Sequence, residues 1–129
     1  MANTTWINLI KNESNIDIYW EDGEDPKRHG TIKRHSQQAF DNTGFCFPWV
    51  DYTKEHELSK AIRFSEASTD RRLFVIFQSY NRDTIQWLQD PGSQYANNAT
   101  DVPGPAGAGG KKAIIIPLDP NMPMLMSIP

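Results

Sequence analysis

Leu73 to Phe77 is an unbroken apolar run, Leu-Phe-Val-Ile-Phe, continued by Gln78, Ser79 and Tyr80. Aromatic and β-branched side chains favour extended backbone, and a run without polar alternation predicts a strand buried on both faces. Elsewhere the apolar runs are short and are separated by Gly, Pro, Asn and Asp clusters, the vocabulary of an all-β chain. Thr5 to Ile10 predicts a first strand, followed by a turn through Asn12 to Asn15. Ile16, Ile18 and Trp20 alternate with Asp17 and Tyr19, which places the three apolar residues on one face. Phe45, Phe47 and Trp49 keep the same period. Pro48 interrupts them and predicts an edge position or a bulge, because proline donates no ladder hydrogen bond. Leu58 to Phe64 predicts a further strand, with a short helix over Glu55 to Ile62 as the alternative. Thr84 to Leu88 returns from the central strand, and Ala113 to Ile116 supplies a last buried one. The expected architecture is an antiparallel β-sandwich of about seven to nine short strands, with at most one short helix near 55–62.

A chain of 129 residues fits one domain with its own core. We place that domain at 1–117, with a flexible Gly- and Pro-rich loop over 91–112 and a Pro- and Met-rich extended tail over 118–129. Three prolines after Pro117 restrict the tail to extended or polyproline-like backbone. It either covers a groove on its own domain or, with an edge strand, makes a homodimer. Lys27 to His35 is predominantly polar, and its cations suit an exposed edge strand that resists pairing with another chain.

Hydrophobic residues make up 38% and charged residues 22%, a balance that predicts a folded globular chain rather than a disordered one. A net charge of −3 supplies no overall field for nucleic acid. No apolar stretch is long enough to span a bilayer, and no basic and apolar leader opens the chain, so a cytoplasmic location is expected. The single cysteine, Cys46, lies between Phe45 and Phe47; it forms no intramolecular disulfide and is expected to act as a small core residue.

Catalytic and metal-binding signatures fail on inspection. Gly104 to Lys112 has glycines and lysines, but a phosphate-binding loop needs glycine at Pro105 and a hydroxyl at Lys112. His56-Glu57 lacks the second histidine of a zinc helix, since Lys60 occupies that place. Glu21 to Asp25 is acidic without the order of a calcium loop, and no Gly-x-Ser-x-Gly elbow is present. The expectation is a binding protein without catalytic residues, metal or cofactor.

Its recognition surface is expected between Tyr80 and Tyr95. Sugars present hydroxyls on one side and weakly apolar C–H faces on the other, so a glycan site combines carboxylates and amides with a flat aromatic platform. Asn81, Arg82, Asp83, Asp90 and Gln94 supply the polar groups, and Trp87 and Tyr95 the platform. The predicted ligand-binding residues are therefore Asn81, Arg82, Asp83, Trp87, Asp90 and Tyr95, with glycans or glycoproteins as partners. The alternative for Trp87 is a place in the core. The same residue types suit a protein interface.

Asn12-Glu-Ser14, Asp17-Ile-Tyr-Trp20, Gly23, Gly30-Thr-Ile32 and Phe47-Pro-Trp-Val-Asp51, taken in order, resemble the β domain of the von Hippel-Lindau tumour-suppressor family. The resemblance covers the first half of the chain, with Phe47 where that family carries histidine. It implies a small β-sandwich with a non-catalytic role in protein recognition and names no partner. In class, as a small cysteine-poor β domain rich in Asn, Trp and Tyr, the chain is also similar to cytosolic lectins of fungi.

Overall fold

The structure, a computed structural model, describes residues 3–40, 44–54, 56–90 and 96–128. It is an all-β sandwich. The strands in chain order are β1 (Thr5–Asn12), β2 (Ile18–Asp22), β3 (His29–Ile32), β4 (Ser36–Ala39), β5 (Phe45–Cys46), β6 (Trp49–Val50), β7 (Ile62–Glu66), β8 (Arg72–Ser79), β9 (Ile85–Gln89), β10 (Thr100–Asp101), β11 (Gly110–Ile116) and β12 (Met124–Ile128). A first sheet runs β12-β11-β1-β4, with β5 also on β1. A second runs β10-β9-β8-β7-β2-β3, with β6 also on β8. Most pairs are antiparallel, while β1–β11 and β6–β8 are parallel. The segment expected as either strand or helix divides into a 3-10 turn at Glu57–Lys60 and then β7.

The main core lies between the sheets. Ile7, Ile10, Ile114, Ile116 and Leu125 of the first sheet meet Ile18, Trp20, Phe64, Phe74, Ile76 and Ile85 of the second. Phe64 and Phe74 are register partners and stack with ring centroids 4.7 Å apart. A smaller cluster covers the other face of the second sheet, where Val75, Phe77 and Leu88 pack with Val50, Ala61, Ala96 and Ala99. Strand β8 therefore faces a core on each side. That is why its sequence shows no polar alternation and why every residue from Leu73 to Ser79 is buried.

Three local devices fix the frame. Asn12 is fully buried: its Nδ2 donates to the carbonyls of Ile16 (2.8 Å) and Ile32 (3.0 Å), and its Oδ1 accepts from the Ser14 N–H and hydroxyl. Pro48 stands where the chain crosses between sheets, β5 being paired to β1 and β6 to β8. Its missing N–H costs nothing there, because the ladder uses its carbonyl, which accepts from Gln78 N–H at 2.9 Å. The tail ends as β12, the outer strand of the first sheet, with Leu125 in the core. Leu125 N–H, which points away from β11, donates to the Pro103 carbonyl at 2.9 Å, so the middle of this edge is already covered. Strand β3 forms an edge of the second sheet, as the basic segment predicts. No helix among the described residues is long and apolar enough to cross a membrane.

Candidate functional site

Strand β6 lies parallel to the last residues of β8, with Trp49 opposite Gln78 and Val50 opposite Ser79. The pairing continues past the strand end, where Tyr80 N–H donates to the Val50 carbonyl at 3.0 Å. It sets the segment from Trp49 to Thr53 beside the β8–β9 hairpin. The hairpin closes through Ser79 N–H to the Thr84 carbonyl (2.8 Å) and Asp83 N–H to the Ser79 carbonyl (2.9 Å). Asp83 takes φ 55°, a left-handed position that aspartate tolerates better than most residues. Tyr80, first in the turn, is left 51% exposed. Its ring centroid is 6.1 Å from that of half-buried Trp49, with the planes at 43°, so the two rings form an open corner.

Polar groups are held around that corner. Asn81 Oδ1 accepts from Tyr52 N–H at 2.9 Å, and its Nδ2 donates to Asp51 Oδ1 at 3.1 Å. Asp51 Oδ1 also accepts from Thr53 N–H (2.9 Å) and Thr53 Oγ1 (2.6 Å). These donors favour the ionised form and bring the Asp51 carboxyl down to about 2. All three bonds fall on Oδ1, which leaves Oδ2 without a partner among the described residues. The Arg82 guanidinium lies 5.0 Å over the Tyr52 ring. Trp49, Asp51, Lys54, Glu57, Lys60 and Tyr80 line a groove of about 300 Å³, in which Lys60 is paired to Glu57 at 2.9 Å. The arrangement offers an open apolar corner, one pre-oriented carboxylate oxygen and an ammonium.

Of the sequence-predicted residues, Asn81 holds the groove-lining Asp51 and Arg82 lies over the neighbouring Tyr52, while neither lines the groove itself. Asp83 adjoins it but turns inward, its Oδ1 accepting from Asn3 N–H and Gln78 Nε2, each at 3.2 Å. Trp87 is half-buried and packs against the main core. Asp90 is buried beyond the far end of β9, where Arg63 Nε approaches to 2.7 Å and Arg72 Nη1 to 3.6 Å. At about 3.4 Å per residue, the strand separates Asp83 from Asp90 by roughly 20 Å. Gln94 and Tyr95 lie outside the described residues. The structure thus joins Asn81 and Arg82 to one place and leaves Trp87 and Asp90 elsewhere. Trp49, Asp51 and Tyr52 were missed. Their available signal was the Asp51-Tyr52-Thr53 turn signature, one residue after the aromatic Trp49.

Among the described residues no group of three or more His, Cys, Asp or Glu side chains is arranged to hold a metal ion. Comparison with family models, curated proteins and solved structures finds no match.

Proposed function

We propose that the chain is a non-enzymatic carbohydrate-binding β-sandwich whose ligand lies on Trp49 and Tyr80. The observation that carries this reading is the exposed Tyr80 ring in a corner with Trp49, beside a carboxylate already fixed by three donors. A sugar ring sets its C–H face against the aromatics and gives hydroxyl hydrogens to Asp51 Oδ2 and Glu57. Lys54 donates to its ring or hydroxyl oxygens. Because Asp51 is oriented before the ligand arrives, little side-chain entropy is lost on binding. The test is titration of immobilised and free glycans against the native chain, Tyr80→Ala and Asp51→Asn. Tyr80→Ala keeps the fold and lowers affinity at least about tenfold, or about 1.4 kcal/mol. Undiminished binding by both variants rules out this site.

A second reading, a protein-interaction or oligomerisation domain of the von Hippel-Lindau β type, is favoured by one observation. Ala39, Leu9, Ala113 and Met126 stand in register across four strands of the first sheet. The neighbouring row contains Ile10, Ile114 and Leu125, which face the core, so the first row lies on the opposite face, with Met126 and Ala39 exposed, Leu9 half-buried and Ala113 covered. Under this reading the chain self-associates through that face, and Met126→Lys abolishes the association. Sedimentation at one mass over a wide concentration range removes self-association.

A further inference from the structure

The groove at Tyr80 continues past Trp49. A second depression, of about 360 Å³, is lined by Thr4, Glu24, Cys46, Phe47, Trp49 and Lys60. Trp49 and Lys60 line both depressions and form the wall between them. In that wall Lys60 Nζ is paired with Glu57 at 2.9 Å, and the Trp49 backbone is positioned by the pairing of β6 with β8.

The second depression repeats the chemistry of the first. Phe47, buried in the core, and half-buried Cys46 give it an apolar floor. Thr4, Glu24 and Lys60 give it a hydroxyl, a carboxylate and an ammonium at the rim. Glu24 arrives there through a close backbone approach. Gly23 N–H donates to the Ala61 carbonyl at 3.1 Å, and a Cβ at Gly23 would lie 2.0 Å from the Ser59 carbonyl oxygen. Only glycine lets the turn of residues 22–25 sit on the turn of 57–60 and bring Glu24 beside Lys60.

The geometry points to a two-subsite groove in which each side of the Trp49 indole borders one sugar ring, so that the ligand is an internal segment of a linear oligosaccharide and not a terminal monosaccharide. This rests on the carbohydrate reading of the first depression. A terminal sugar would fill the Tyr80 side alone and leave the depression beside Cys46 empty.

The test uses the full chain and linear series of glucose, mannose and N-acetylglucosamine from monosaccharide to tetrasaccharide. Affinity is measured by calorimetry, and alkylation of Cys46 by N-ethylmaleimide is followed by mass. Cys46 is the sole thiol, so the labelling has one origin. Burial pushes this thiol up, so labelling is run at alkaline pH. For the series that binds, affinity rises at least about tenfold from monosaccharide to disaccharide or trisaccharide. A saturating tetrasaccharide slows alkylation, whereas a saturating monosaccharide does not. Thr4→Trp, at an exposed position, removes the gain with length and keeps monosaccharide affinity. Length-independent affinity with Cys46 equally reactive throughout overturns the second subsite and leaves the first standing. Absence of binding by every sugar overturns both.

Discussion

Asn81 and Asp51 hold each other across two elements that are 30 residues apart in the chain. The Asn81 amide donates to Asp51 Oδ1 at 3.1 Å while its carbonyl accepts from Tyr52 N–H at 2.9 Å. One side chain thereby locks the β8–β9 hairpin to the segment that carries Trp49 and Asp51. Asn81→Ala is expected to cost about 1 kcal/mol of stability, the usual worth of such bonds, and to weaken glycan binding by loosening Asp51. Thermal melts and titration of the same variant check both effects. Full affinity in a folded Asn81→Ala chain would show that the clamp does not position the site.

Under the proposed reading, Asp51 is expected to set the acid limit of binding. Its carboxyl is brought down to about 2 in the folded chain by Thr53 and Asn81. The resulting contribution to stability is complete above about pH 4, where the unfolded carboxyl is also ionised, and is lost as pH falls through about 2. Glycan binding should therefore persist at pH 4 and fail near pH 2. Asp51→Asn should be weak at every pH, without that transition. A loss of native-chain binding centred well above pH 4 would place the controlling group elsewhere.

Trp87 and Asp90 should matter for stability and not for the ligand. Trp87 packs on the main core, so Trp87→Ala should cost about 2–4 kcal/mol, toward the lower end because the ring is only half-buried. Asp90→Ala leaves Arg63 and Arg72 without their carboxylate and should lower the melting temperature by a few degrees. Glycan titration of both variants below their melting temperatures should return native affinity. A specific loss of affinity would draw the site toward β9.

The methionine-rich tail belongs to the sheet. Leu125 is 5% exposed in the main core and its N–H is bonded to Pro103. Leu125→Ala should cost about 2–4 kcal/mol. Truncation after Pro117 should expose Ile114 and Ile116 and lead to aggregation or unfolding. Chemical denaturation measures the first and solubility the second. Unchanged stability of the truncated chain would mean that β12 is dispensable.

The two-sided burial of β8 was legible because consecutive apolar residues leave no solvent face, and the edge position of β3 because Lys27, Arg28, Lys33 and Arg34 flank it. Strand β12 was hidden by proline: Pro117, Pro120 and Pro123 break the chain before it, yet Met124–Ile128 remain free to form a strand. Asn81 and Arg82 were legible as a local concentration of polar groups. Trp49 and Asp51 were not, because β6 is two residues long and pairs in parallel with a strand far along the chain, which leaves no local period to detect. Asp90 was grouped with Asp83 by closeness in sequence, whereas an intervening strand carries the two to opposite ends of a sheet.

The central claim is that Trp49 and Tyr80 form a sugar platform, and a glycan-array screen of the native chain beside Tyr80→Ala tests it most directly, with heat-denatured protein as control. The account predicts a set of hits sharing one saccharide unit for the native chain, and their loss in Tyr80→Ala at unchanged melting temperature. No hits for the native chain, or the same hits for both proteins, would contradict it.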